Sequence, residues 1–131
     1  MLPITQQEAG LGQRKSANPD WSWPDRLDAL VAAPANHFLI FENDRVRVLQ
    51  TRIPPGQTVP LHTHRWPAVL YLESWSDFVR RDEQGNVLLD SRSAGRPKVP
   101  GVLWLEALPP HTVENVGSSV IVNFNVELKN G

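Results

Sequence analysis

Cysteine is absent from the 131 residues of this chain. Disulfides, thiolate metal sites and cysteine nucleophiles are therefore excluded together. The absence is compatible with the cytoplasm, although it does not decide the compartment. Charge of either sign is not in excess: 13 Lys and Arg stand against 14 Asp and Glu, for a formal net charge of -1. No bulk field is available to recruit nucleic acid or an anionic membrane. No apolar run approaches membrane-spanning length. Met1 to Arg14 lacks the apolar segment of a signal peptide. The expectation is a cytoplasmic protein with no nucleic-acid and no membrane partner. A Ser-His-Asp arrangement, a phosphate-cradling Gly-rich loop and zinc-finger spacing are missing as well. Proline, by contrast, is plentiful at 12, which favours many short elements over long helices.

The length fits one domain with a modest core. Residues 1–34 read as an N-terminal arm, polar up to residue 20 and then anchored by Trp21 and Trp23. A short helix is expected there, capped by Ser22 with Asp25 at capping-box spacing and Pro24 in the first turn, running through Leu27, Leu30 and Val31 and ending before Pro34. From His37 onward the hydrophobic period is two. Strands are expected at 37–42, 45–53, 68–75, 77–81, 87–91, 102–107 and 119–128, with residues 92–101 as a surface loop and Pro109-Pro110 as a corner. In the last strand Val120, Val122, Phe124 and Val126 share one face, and Ile121, Asn123, Asn125 and Glu127 share the other. Many short strands with close turn signals indicate an all-β sandwich or small barrel over residues 35–131.

The stretch that carries chemistry is Pro54 to Trp66, where a Pro-Gly turn precedes His62-Thr63-His64. On an extended strand His62 and His64 point the same way, and converging imidazoles suit a divalent transition metal. The plain alternative is a surface histidine pair. His111 follows the Pro109-Pro110 corner, and His37 stands far upstream, where a structural or surface role is expected of it.

These residues resemble a known family. Gly56, five residues, His62, one residue and His64 are similar to the opening of the first cupin motif. His111, three residues and Asn115 are similar to the end of the second. The string Phe41 to Val48 looks like the entry strands of small single-domain bacterial cupins, and the likeness covers roughly residues 37–128. It implies an all-β, cupin-type double-stranded β-helix, or jelly-roll barrel, with a short N-terminal helix. It also implies one divalent transition metal (Fe, Zn, Mn, Ni or Cu) held by His62, His64 and His111.

The departures matter. Ala68 and Val69 stand where the family's glutamate ligand belongs, Trp75 replaces the following glycine, and Pro100, Glu106 and Leu108 fall on the second motif's glycine and proline positions. The implied site is a three-histidine site, similar to that of cupin dioxygenases acting on a small polar or anionic molecule. The alternative is a non-catalytic ligand-binding or sensor cupin. Glu73, Glu106 and Glu114 are candidate replacement carboxylates, with strand parity against Glu73. Trp66, Ala68 and Asn115 are the candidate pocket residues. Trp66 reads first as rim packing and Asn115 first as a turn-fixing residue. Arg65 and the basic group Arg80, Arg81, Arg92, Arg96 and Lys98 read as solvated charge, because acidic residues interleave with that group. The resemblance also implies a homodimer.

Overall fold

The computed structural model describes residues 21–129. Nine strands form two antiparallel sheets. One has the order β1-β2-β9-β4-β7, built from His37–Glu42, Val46–Ile53, Ile121–Leu128, Ala68–Ser74 and Gly101–Leu105. The other has the order β3-β8-β5-β6, built from Thr58–His64, Leu108–Asn115, Phe78–Asp82 and Val87–Asp90. The arrangement is the expected jelly roll. After β2 the chain crosses between the sheets at every connection except the β5–β6 hairpin, which closes a barrel around one interior.

Alternation decides what that interior contains. On β2, Arg47, Leu49, Thr51 and Ile53 are buried, while Val46, Val48 and Gln50 are only partly covered. On β9 the buried set includes Ile121, Asn125 and Glu127. Ala33, Ile53, Val59 and Ile121 make an apolar plug at one end, with Phe78 and Val113 against it. The opposite face of the larger sheet is apolar and exposed at Tyr71, Val102 and Trp104, and Phe38 to Phe41 are exposed along the edge strand β1.

The helical entry differs from expectation. A 3-10 turn at Asp25–Leu27 has no side-chain cap, and the four-residue helix α1, Ala29–Ala32, starts after it. Its cap is Asp28, whose carboxylate accepts from Leu30 N, so Ser22 is not the capping residue. Asp28 outcompetes Ser22 because it also ion-pairs with Arg47 and bridges Thr63. Residues 1–20 of the expected arm lie outside the described residues. Two further boundaries move. The start of the expected 92–101 loop folds into helix α2, Ser91–Ala94, capped by Asp90. Pro109 and Pro110 lie inside β8 and are accommodated by a register shift against β3 rather than forming a corner.

Candidate metal centre

The first half of the site starts from a turn. Pro55 and Gly56 occupy the centre of Pro54–Gln57, where Gln57 N donates to Pro54 O and Gly56 sits at φ 82°, the left-handed position a type II turn requires. Gly56 N then donates to Asn115 O and Asn115 N to Gln57 O, tying β3 to the end of β8. Along β3, Val59 pairs with Val113 but His62 pairs with His111, so one extra residue stands on β3 between them. This bulge at Pro60-Leu61 re-aims the strand. Without it, Val59 and His62 would face opposite sides; with it, both line the interior.

All four histidines meet inside the barrel. Ring centroids are 5.0 Å apart for His62–His64, 4.3 Å for His62–His111 and 5.8 Å for His64–His111. His37 belongs with them, at 4.8 Å from His62 and 5.3 Å from His64. His37, His62 and His64 offer nitrogens that lie within 4.8 Å of one another, a group that His111 adjoins through His62 but does not join. The surface role expected of His37 is therefore corrected, and its ring faces the other histidines. It is 3% exposed and faces the cavity from the first residue of β1. Only the pairing of β1 with β2, His37 against Thr51, brings it there, and no spacing in the sequence signals that pairing.

Each imidazole is fixed through Nδ1. The partners are Ala33 O for His37 (3.0 Å), Pro60 O for His62 (2.7 Å), Pro109 O for His111 (2.7 Å) and Glu127 Oε2 for His64 (3.0 Å). A carbonyl or carboxylate oxygen can only accept, so each Nδ1 carries a proton, and in a neutral imidazole that leaves Nε2 with its lone pair. That tautomer is the one metal-ligating histidines use when the far nitrogen is held by an oxygen. Burial, joined by repulsion among the histidines, lowers His37 to about 4 and His111 to about 3, and pushes His62 down as well. Neutral imidazoles need lose no proton to bind a cation at pH 7. The donor set therefore fits a borderline divalent metal such as Zn(II), Fe(II) or Ni(II).

A carboxylate stands close by, though not where the motif would put one. Ala68 pairs directly with Glu127 across β4 and β9, and the small alanine side chain leaves that wall to the glutamate. Glu127 is fully buried. One oxygen accepts from His64 and the other from Arg47 Nε at 2.7 Å, and Arg47 in turn holds both oxygens of Asp28. The result is a buried relay from His64 through Glu127 and Arg47 to Asp28. The three suggested replacements serve elsewhere: Glu73 is exposed, Glu106 accepts from Trp104 Nε1, and Glu114 pairs with Arg81. Glu127 could have been found from its face, which it shares with Asn123 and Asn125.

The histidines line a cavity of about 520 Å3, a size suited to a small organic ligand. Trp66 is not among its lining residues. It is half-buried and stacked by Arg47 at 5.0 Å, Arg65 at 5.5 Å and Lys129 at 5.5 Å. Ala68 is buried beside Glu127, and Asn115 is also outside the lining set. The Asn115 amide donates to Ile53 O and Ser119 O and accepts from Gly117 N. Three backbone groups, one buried and two partly buried, depend on it, so Asn115→Ala will lower stability by about 2–4 kcal/mol, read from urea unfolding. Arg80 leaves the solvated basic group altogether, since it shares the inward parity of Phe78 and lines the cavity.

The fold defined by these strands is shared with solved cupin structures. A cupin domain from Bordetella pertussis Tohama I superposes with a TM-score of 0.57 at 20% identity, over 70% of this chain and 90% of that one. An RmlC-like cupin with a double-stranded β-helix fold from Methanocaldococcus jannaschii gives 0.51 at 12% identity, over 72% and 81%. An uncharacterized conserved protein with a double-stranded β-helix domain from Klebsiella pneumoniae gives 0.50 at 14%, over 86% and 81%. No protein-family model and no curated protein matches the sequence. The chain is thus a small domain of cupin fold. Among its described residues no helix is long and apolar enough to cross a membrane.

Proposed function

We propose that this cupin domain, residues 35–131 with residues 1–34 as an accessory arm, binds one divalent transition metal through Nε2 atoms of His62, His64, His111 and His37, and acts on a small anionic organic molecule. The observation that carries the reading is the common pinning of four Nδ1 atoms by oxygen acceptors around one cavity. A bound metal supplies Lewis acidity and, as Fe(II), a redox centre for dioxygenase chemistry. The chain's own residues keep His37, His62 and His111 neutral and orient all four imidazoles, and Glu127 accepts from His64 behind the site. The second reading is a non-catalytic ligand-binding cupin. It is favoured by the cavity lining, which among the described residues includes no Asp, Glu or Lys to serve as a base. The exposed apolar sheet face around Tyr71, Val102 and Trp104 supports a homodimer within either reading.

Metal analysis tests the centre. Wild-type protein loaded with Zn(II) and desalted is expected to hold one metal per chain, and His62→Ala/His64→Ala none. Equal metal in both would sink the proposal. Oxygen uptake by the Fe(II) form with β-dicarbonyl, thiol and hydroxy-acid substrates then separates the enzyme from the binder.

A further inference from the structure

Among the described residues, three buried side-chain polar atoms have no hydrogen-bond partner: Trp75 Nε1, Arg80 Nε and Asn123 Oδ1. All three residues line the same cavity as the histidines. An unmet buried donor or acceptor costs free energy, so three on the wall of one cavity are left to a ligand. Arg80 carries the charge among them. It is half-buried, forms no ion pair among the described residues, and touches Phe78 with its guanidinium 5.8 Å from the ring. Its neighbours in the basic group do otherwise: Arg81 pairs with Glu114 and Arg92 with Asp90. Trp75 packs on Phe78 too, at 5.5 Å, so both residues with free donors pack on one ring. Arg80 also lies near the histidines, and its charge helps hold His111 neutral.

The rest of the lining agrees. Its ionisable residues are four histidines, Arg80 and the exposed Arg96 at the loop after α2; none is acidic. The walls between are apolar, including Leu70, Leu72, Leu103 and Leu105. With two arginines and no carboxylate in its lining, the cavity favours an organic anion over an organic cation of the same shape. A guanidinium fork matches the two oxygens of a carboxylate, and the indole N–H of Trp75 on the same cavity wall offers a further donor.

We propose that Arg80, assisted by Trp75 Nε1, is the binding residue for the carboxylate of an apolar-bodied organic acid, with Asn123 Oδ1 left to accept from a hydroxyl on that ligand. This names the ligand class for the site proposed above and rests on the cavity of that reading, while needing no metal for its own test.

Calorimetric titration of 3-phenylpropanoate and its neutral amide tests it, on Zn(II)-loaded and chelator-stripped protein. The wild type is expected to prefer the carboxylate by about 10- to 100-fold in both forms, the usual range for a charged hydrogen bond. Arg80→Gln and Arg80→Met should abolish the preference while leaving amide binding in place, and Arg80→Lys should keep part of it. Because Arg80 has no internal partner, Arg80→Met should melt at or above the wild-type temperature. A variant that instead fails to fold would assign Arg80 a structural role and overturn the proposal. So would a preference that survives Arg80→Gln, a preference that appears only with metal, or no binding of either probe at millimolar concentration. An Arg80-dependent preference in protein that takes up no metal would defeat the metal centre and leave the anion site standing.

Discussion

Metal-free protein will lose stability steeply between pH 6.5 and pH 4. His37, His62 and His111 are buried as neutral imidazoles, with folded values about 4 for His37, about 3 for His111 and lowered for His62. Unfolded, each titrates near 6.5. The sign follows directly. Above 6.5 both states are neutral and the histidines cost nothing. As pH falls, the unfolded chain takes up protons that the folded chain refuses, so stability is lost down through the folded values. Each such proton is worth roughly 1.4 kcal/mol per pH unit, so three give about 4 kcal/mol per unit once the unfolded histidines are charged. Against a typical total of about 5–15 kcal/mol, that is a large share of the domain's stability by pH 4. Urea midpoints at pH 7, 6, 5 and 4.5 measure it. Asp90, lowered to about 2 mainly by its bond from Arg92, acts in the same direction only at lower pH. A flat profile from pH 7 to 4.5 would contradict the neutral cluster. Saturating Zn(II) should shift the loss to lower pH, because bound nitrogens cannot protonate.

The barrel was legible because it rests on local rules. Period-two runs located β1, β2, β4 and β9 to within a residue or two. The His-x-His pair reads as part of an extended strand without fixing its bounds, and β3, Thr58–His64, is that strand. What escaped were features decided by competition between distant groups. Ser22 satisfies a capping rule, but Asp28 caps α1 because it also gains Arg47. Pro109-Pro110 reads as a break, but a register shift against β3 absorbs it.

The site divided in the same way. His62 and His64 could be paired from spacing, and His111 joined them through its motif. His37 could not be added, because its approach depends on the register of β1 against β2. Arg80 was hidden by composition, since interleaved acids made its neighbourhood look like a solvated face. Strand parity with Phe78 was the available signal. Ala68 marked a missing carboxylate correctly, but only the β4–β9 register shows that Glu127 stands opposite.

Glu127 should therefore be the most sensitive single position outside the histidines. Its carboxylate is fully buried and bonds His64 Nδ1 and Arg47 Nε at once. Glu127→Ala leaves Arg47, itself buried, with Asp28 alone, and leaves the His64 proton without an acceptor. Removing one member of a buried charge pair costs about 3–5 kcal/mol, so this variant is expected to unfold at a much lower urea concentration. Glu127→Gln keeps the volume and one acceptor but loses the charge, so its stability cost should be smaller. The two variants separate packing from electrostatics. In the glutamine variant the amide oxygen can still accept from one partner, while its NH2 faces a donor at the other. If Glu127 orients and polarises His64 for a metal, Glu127→Gln should also weaken Zn(II) binding by about 10- to 100-fold, the range seen for groups that hold a ligating histidine. Competition against a chromophoric chelator at pH 7.5 gives that affinity directly. Wild-type affinity in Glu127→Gln would confine the relay to a structural role. A Zn(II) loss beyond its stability loss ties Glu127 to the centre, as the substitute for the carboxylate that Ala68 lacks.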